Sequence, residues 1–226
     1  MPPDPLLGLL QLADSSFPSG AFNLSHGLET LVGDGAVRTP SDVAEVLEVS
    51  LLDRLARADL IILLAVHKAA DLDEILELDR RLSTVKLAAD DRVGSQRVGR
   101  RLAIEASYLV DDEILAPYTS ALADGRASGN AAVAMGLATR AFGVPASDAA
   151  FGAAWSFASG LCAAAVRLGL MGHRDVQRLL RDAGPTMRQA VQRAIAADPR
   201  HLRPSAPQLD VVLARHETAA AHLFAS

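Results

Sequence analysis

Residues 149–166 read AAFGAAWSFASGLCAAAV and carry no charge. A run of about 18 apolar residues is the lower limit for a membrane-spanning helix. Most of these residues are Ala, Gly and Ser, however, which gain little free energy on leaving water, and Asp148 and Arg167 bracket the run closely. The stretch therefore predicts a buried central helix, and no association with a membrane. Its small residues let neighbouring helices approach, while three larger ones fill the gaps: Trp155, Phe157 and Leu161.

Helical spacing of apolar residues recurs on both sides of this helix, whereas strand-type alternation is scarce. Thr39-Pro40-Ser41-Asp42 predicts a helix start, because it combines a capping hydroxyl, a proline and an acid in the first turn. Ser147 is the expected cap of the central helix, and Gly184-Pro185 should kink or split a later helix. The predicted helices cover residues 39–68, 72–86, 90–109, 114–123, 131–142, 147–170, 174–197 and 207–224.

These patterns predict an all-α fold, a single-domain helical bundle of about eight to ten helices over residues 1–226. A chain of 226 residues fits one domain. Half of its residues are hydrophobic and 22% are charged, which is the composition of a chain that folds around a sizeable core.

Charge and composition exclude several classes of function. The formal net charge is −5 and aromatic residues are few, so the dense cationic face and stacking platform of a nucleic-acid binder are missing. Neither a GxxxxGK[ST] nor a GxGxxG pattern is present, so we expect no bound nucleotide. Cys162 is the one cysteine, expected as a buried and unreactive thiol. The single cysteine and an amino terminus without the basic start of a secretory signal together predict a cytoplasmic protein.

The six histidines do not predict a tight metal site. No pair has the HExxH spacing of a helical zinc site. His216 and His222 are the nearest to a cluster, but on one helix they would lie about 9 Å apart along the axis. Imidazole suits Ni(II), so a transient nickel contact there stays open.

Residues 11–29, which we call the amino-terminal joint, read QLADSSFPSGAFNLSHGLE. Ser15, Ser16, Pro18 and Gly20 break a helical pattern and place two phenylalanines around a tight bend, and Ser25-His26-Gly27-Leu28-Glu29 opens another helix. The segment is either a functional surface or a helix–turn–helix joint with capping hydroxyls. Nothing in it combines a nucleophile, a base and an oxyanion site.

Four blocks of residues, in order and nearly over the whole chain, resemble the UreF family of urease accessory proteins. The first lies in the joint, the second follows Arg92, the third enters the penultimate helices, and the fourth is like the family's HE…LF.S terminus. The matching residues are Gln11, Asp14, Phe17, Pro18, Gly20, Phe22, Ser25, Gly27, Leu28 and Glu29; Arg92, Ser95, Gln96 and Gly99; Ala164, Arg167, Leu168, Gly172 and Gln177; and Pro207, Asp210, His216, Glu217, Leu223, Phe224 and Ser226.

The resemblance implies an all-helical, homodimeric, non-catalytic scaffold. Such a scaffold binds UreD (also called UreH), recruits the GTPase UreG, modulates its GTPase cycle and promotes nickel insertion into apo-urease. It implies no tightly bound cofactor, with nickel only in transit through the complex. Partner contacts are expected on two surfaces and on the Arg92 block, through Asp14, Phe17, Pro18, Gly20, Phe22, Ser25, Gly27 and Glu29; Arg92 and Ser95; and His216, Glu217, Leu223 and Phe224.

This chain also departs from the family pattern. Asn130 stands where histidine is common and Ala132 where proline is common, while Ala220, His222 and Ala225 replace the usual tyrosine and arginines near the terminus. Two alternatives therefore remain beside the scaffold. One is a degenerate relative that binds the partners without supporting nickel transfer. The other is a helical enzyme with an unrecognised pocket, in which Asp14 and Glu29 do acid–base work.

Overall fold

Twelve α-helices and no strand make up residues 4–216, the part of the chain that the computed structural model describes. The all-α prediction is confirmed. The helices are α1 Pro5–Ala13, α2 Leu28–Gly33, α3 Pro40–Val49, α4 Asp59–Val66, α5 Leu72–Val85, α6 Ala89–Ser107, α7 Leu115–Ala123, α8 Ala131–Ala141, α9 Ala146–Arg167, α10 His173–Asp182, α11 Gly184–Ile195 and α12 Pro207–His216.

The predicted central helix is α9, which packs against α1, α2, α3, α4, α8, α10 and α11. It is long and apolar enough to cross a membrane by length and composition alone, yet half of its most apolar window is buried against these neighbours. Leu161 and Cys162 are fully buried, and burial raises the pKa of the Cys162 thiol to about 11. Trp155 does not fill the core as predicted, because it is 38% exposed on the outer side of the helix.

The helix predicted over 39–68 is divided in two, which is one reason why the helices outnumber the eight to ten expected. Thr39 begins α3 with a capping box to Asp42, as predicted. Ser50–Arg54 then widens into a π-turn, and Leu55–Arg57 tightens into a 3₁₀ turn before α4. The carbonyl oxygens of Asp53 and Arg57 accept hydrogen bonds from the backbone N–H groups of Ser205 (2.9 Å) and Arg203 (3.1 Å). A distant segment therefore uses the carbonyls that the irregular turns release.

The other boundaries differ by a few residues. Gly184-Pro185 begins a new helix, α11, so the predicted split is confirmed. Ser147 is not the cap of α9, because the helix already begins at Ala146 after an extended Pro145. The helix predicted over 207–224 is α12 as far as His216, and the rest of that prediction lies outside the described residues.

Helices α6 and α8 approach more closely than side chains would allow, because Gly99 lies at their crossing. A Cβ atom on Gly99 would stand 2.2 Å from the Gly129 carbonyl oxygen and 2.7 Å from the Ala131 nitrogen. Gly99, one of the family-like residues, is therefore a packing position.

Candidate functional site

The amino-terminal joint begins with a turn that Asp14 closes. The Asp14 carboxylate accepts hydrogen bonds from the Ser16 backbone N–H (2.6 Å) and hydroxyl (2.5 Å), and these bonds lower its pKa. Phe17 then packs against the core, while Pro18 and Gly20 are exposed. Gly20 has φ 77°, a left-handed conformation that favours glycine. The predicted bend is confirmed, and Asp14 has a structural role in it.

Phe22 is held at the surface by a residue of the central helix. The Arg167 guanidinium carbon lies 4.1 Å from the centre of the Phe22 ring, and its Nη2 donates a 2.7 Å hydrogen bond to the Phe22 carbonyl oxygen. The ring is nevertheless 48% exposed. A cation over an aromatic face gains about 0.5–1 kcal/mol at an exposed site. Phe22 is thus a fixed aromatic group that faces solvent, as a partner-contact residue would be.

The joint ends in two consecutive left-handed residues, His26 (φ 53°) and Gly27 (φ 85°), which turn the chain into α2. Ser25 and Gly27 are buried, and Glu29 lies in the first turn of α2. A Cβ atom on Gly27 would come within 3.3 Å of the Leu213 side chain of α12. The carboxyl-terminal helix therefore lies directly on the joint.

A cavity of about 240 Å³ lies beside the joint, between it, α4, α6 and α9. The His26 ring packs on Phe157 at 4.5 Å between centroids, and burial lowers the pKa of His26 to about 4. The Ser156 hydroxyl, also in the cavity lining, is buried and has no hydrogen-bond partner among residues 4–216. The neutral imidazole and the hydroxyl add polar groups to a largely apolar lining.

Five charged residues, which we call the charge cluster, also line the cavity. Arg54 contacts Asp91 at 3.0 Å and Asp210 at 3.6 Å, while Lys86 contacts Asp59 at 3.0 Å and Asp91 at 3.5 Å. Burial alone would lower the pKa of Lys86, but the two carboxylates raise it above its usual value. Burial would likewise raise the pKa of Asp91, but Lys86 and Arg54 lower it.

The charge cluster joins parts of the chain that are far apart in sequence. Arg54 comes from the irregular turns after α3, Asp59 from α4, Asp91 from α6 and Asp210 from α12. Removing one partner of a buried ion pair costs about 3–5 kcal/mol, since the other charge is left uncompensated. This cost applies to the buried pairs of Arg54 and Lys86 with Asp91, while the partly exposed Asp210 adds a weaker link from α12 to Arg54. No local pattern indicates the cluster, because its members come from five separate parts of the chain, with Lys86 in the loop after α5.

The Arg92 block positions α6. Arg92 Nη1 donates to the Lys86 carbonyl oxygen at 2.7 Å and so holds the loop that carries this lysine. The Ser95 hydroxyl accepts a hydrogen bond from the Ala131 N–H at 3.2 Å, at the start of α8. Both side chains therefore have contacts within this chain, and their predicted partner contacts stay a prediction.

Asn130, a departure from the family pattern, is fully buried in a polar network around Asp79. Asn130 Nδ2 donates to Asp79 Oδ1 (2.8 Å) and to the Ser83 hydroxyl (2.7 Å). The Asp79 carboxylate also accepts from the Tyr118 hydroxyl (3.0 Å) and the Gly129 N–H (2.8 Å). This network, which sequence reasoning missed, anchors the loop that begins α8. Position 130 is therefore a core position and not part of the exposed surface.

The predicted sites are brought together only in part. The joint lies against α12, the helix that ends at His216. The second predicted surface, which consists of the side chains of His216, Glu217, Leu223 and Phe224, lies outside the described part of the chain and stays a prediction. Within residues 4–216, no group of three or more His, Cys, Asp or Glu side chains is arranged to hold a metal ion.

Comparison with known proteins identifies the family of this chain. Residues 37–184 match the family model UreF. The chain is 28% identical over 223 residues to "Urease accessory protein UreF" of Trichodesmium erythraeum, with 97% of this chain and 96% of the relative covered. It is 28% identical over 224 residues to the protein of that name in Bacillus sp. strain TB-90, with 98% and 99% covered. "Urease accessory protein UreF 1" of Brucella melitensis is 28% identical, with 97% and 92% covered. This chain belongs to the UreF family of urease accessory proteins.

Proposed function

We propose that this chain is a non-catalytic scaffold of urease maturation. It binds UreD (UreH), recruits the GTPase UreG, modulates the GTPase cycle of UreG and promotes nickel insertion into apo-urease. It acts in the cytoplasm as a homodimer, and nickel is cargo in transit. The observation that carries the proposal is the similarity to urease accessory proteins over 97% of the chain.

The arrangement of the joint supports a binding role. A partner-contact surface gains affinity when its aromatic groups are fixed before binding, because less conformational entropy is then lost. Arg167 fixes Phe22 in this way, and Asp14 fixes the turn that precedes it. The joint also contacts α12, because a Cβ atom on Gly27 would come within 3.3 Å of the Leu213 side chain.

The proposed role is tested by capture of partners from cells that express UreD, UreG and urease. The tagged wild-type chain should retain UreD and UreG, and Phe22→Ala should retain at least tenfold less UreD. Trp155→Ala is the matched control, because it removes an exposed aromatic residue of α9 that does not belong to the joint. Retention of neither protein by the wild-type chain would contradict the proposal.

Acid–base catalysis by the joint has weaker support. A general base works best when its pKa lies near the operating pH. The hydrogen bonds from Ser16 shift the pKa of Asp14 in the opposite direction. Urease activation that persists in the double variant Asp14→Asn, Glu29→Gln would remove the remaining support for a catalytic joint.

A further inference from the structure

An open groove of about 650 Å³ runs between the joint and α6, on the side of α6 that faces away from the cavity-lining Asp91. We call it the α6 groove. Its walls are Pro18, Ser19, Gly20 and Asn23 on one side, and Val93, Gln96, Arg97, Arg100, Arg101 and Ile104 on the other.

The charged residues in the walls of the α6 groove are all arginines: Arg97, Arg100 and Arg101. The chain as a whole has a formal net charge of −5, so this groove is a local exception. Arg101 contacts Glu105 at 2.9 Å, but Arg101 is exposed and Glu105 only half-buried, and ion pairs at the surface gain less than about 1 kcal/mol. Arg100 reaches the carbonyl oxygens of Leu122 and Ala127, which fixes the position of its guanidinium.

Apolar side chains stand at both ends of the row of arginines. Val93 is 56% exposed and Ile104 is 43% exposed. They lie eleven residues apart on one face of α6, which corresponds to about 16 Å along the helix axis. Arginine is enriched in the contacts of protein interfaces, and exposed apolar side chains next to it supply the area that such contacts bury.

We propose that the α6 groove docks an acidic segment of a protein partner, with carboxylates at its centre and apolar residues about 16 Å apart at its ends. Charge complementarity selects the partner and speeds its association, because carboxylates accept paired hydrogen bonds from guanidinium groups. The inference deepens the proposed function, on which it rests, since the joint residues Pro18 and Gly20 form one wall. It adds acidic chemistry to the description of the partner.

The test compares two double charge reversals. Arg97→Glu with Arg101→Glu alters the α6 groove, whereas Arg174→Glu with Arg178→Glu is the matched control. The control pair has the same spacing on an exposed helix face, and Arg178 contacts Asp175 as Arg101 contacts Glu105. Each variant is assayed for capture of UreD, UreG and apo-urease, and for binding of a labelled synthetic peptide of sequence LEEAEEAAEEAL by fluorescence anisotropy. The end leucines of this peptide lie eleven residues apart, about 16 Å on a helix. Circular dichroism confirms that both variants are folded.

The proposal predicts at least tenfold weaker binding of one partner or of the peptide by the groove variant, and wild-type binding by the control. Added salt should weaken the wild-type interaction in the same way. The proposal is overturned if the groove variant binds every probe as the wild type does, if the control is equally impaired, or if the only change is loss of self-association in sedimentation. Peptide binding by a chain that captures no urease partner would support the groove and contradict the scaffold role, so the two failures are distinguishable.

Discussion

Replacement of Gly99 by alanine tests the close approach of α6 and α8. The added Cβ atom would lie 2.2 Å from the Gly129 carbonyl oxygen, and the other near atoms are also backbone. Relief by rotation of a side chain is therefore impossible, and the two elements must separate by about 1 Å to restore an ordinary contact. Overpacking of this kind costs about 1–3 kcal/mol.

The neighbouring loop cannot give way without further loss. The Gly129 and Asn130 N–H groups donate to the Asp79 carboxylate at 2.8 and 3.0 Å, and a hydrogen bond to a charged group contributes about 1.5–3 kcal/mol. The higher helix propensity of alanine offsets about 1 kcal/mol of this cost. We therefore expect Gly99→Ala to lower the free energy of unfolding by about 3 kcal/mol. For a chain of this size, that lowers the melting temperature by roughly 6–12 °C.

Urea denaturation followed by far-UV circular dichroism measures this difference. Gly33→Ala is the matched control, because Gly33 also lies in a helix but a Cβ atom there would meet no described residue within 4 Å. The control should be unchanged or more stable by up to about 1 kcal/mol. Equal stability of the two variants would refute the packing argument.

Three further predictions concern the described core and the joint. Asp79→Asn should lower the free energy of unfolding by about 3 kcal/mol, because an amide nitrogen would face the donors of Tyr118, Gly129 and Asn130. A chemical denaturation curve like that of the wild type would contradict the network. Burial lowers the pKa of His26 to about 4 in the folded protein, whereas an unfolded histidine has a pKa of about 6.5. Between these pH values only the unfolded chain binds a proton at His26, so the free energy of unfolding should fall as the pH decreases from 6.5 to 4. In His26→Gln that fall should be smaller by about 1.4 kcal/mol per pH unit, whereas parallel curves for the two proteins would contradict a buried neutral imidazole. Gly27→Ala should lower the free energy of unfolding by about 1–3 kcal/mol through backbone strain and contact with Leu213, and should speed proteolysis near α12. Protection from protease equal to that of the wild type would show that α12 does not depend on the joint.

Local patterns were sufficient for most of the fold. Thr39 and Asp42 form the predicted capping box, and the helical spacing over 72–86 corresponds to α5, Leu72–Val85. Gly184-Pro185 separates two helices because proline is accepted in a first turn but not in a helix interior. These features depend on residues within a few positions of one another, which is why the sequence alone predicts them.

The features that were missed depend on distant parts of the chain. The helix predicted through residues 50–58 is interrupted where Arg203 and Ser205 bind its carbonyl oxygens. The charge cluster pairs Arg54 with Asp210, and Asn130 meets Asp79 across the core. No local spacing of residues predicts such long-range contacts. Family resemblance marked the joint, but the cavity and the α6 groove beside it emerged only from the packed structure.

The most direct test of the scaffold role is made in cells that produce urease. Urease activity and nickel content per urease are measured in a strain that lacks this chain, with and without a plasmid copy. The account predicts nickel-poor, inactive urease in the deletion strain and recovery of both activity and nickel with the plasmid. Fully active, nickel-loaded urease in the strain without this chain would contradict it.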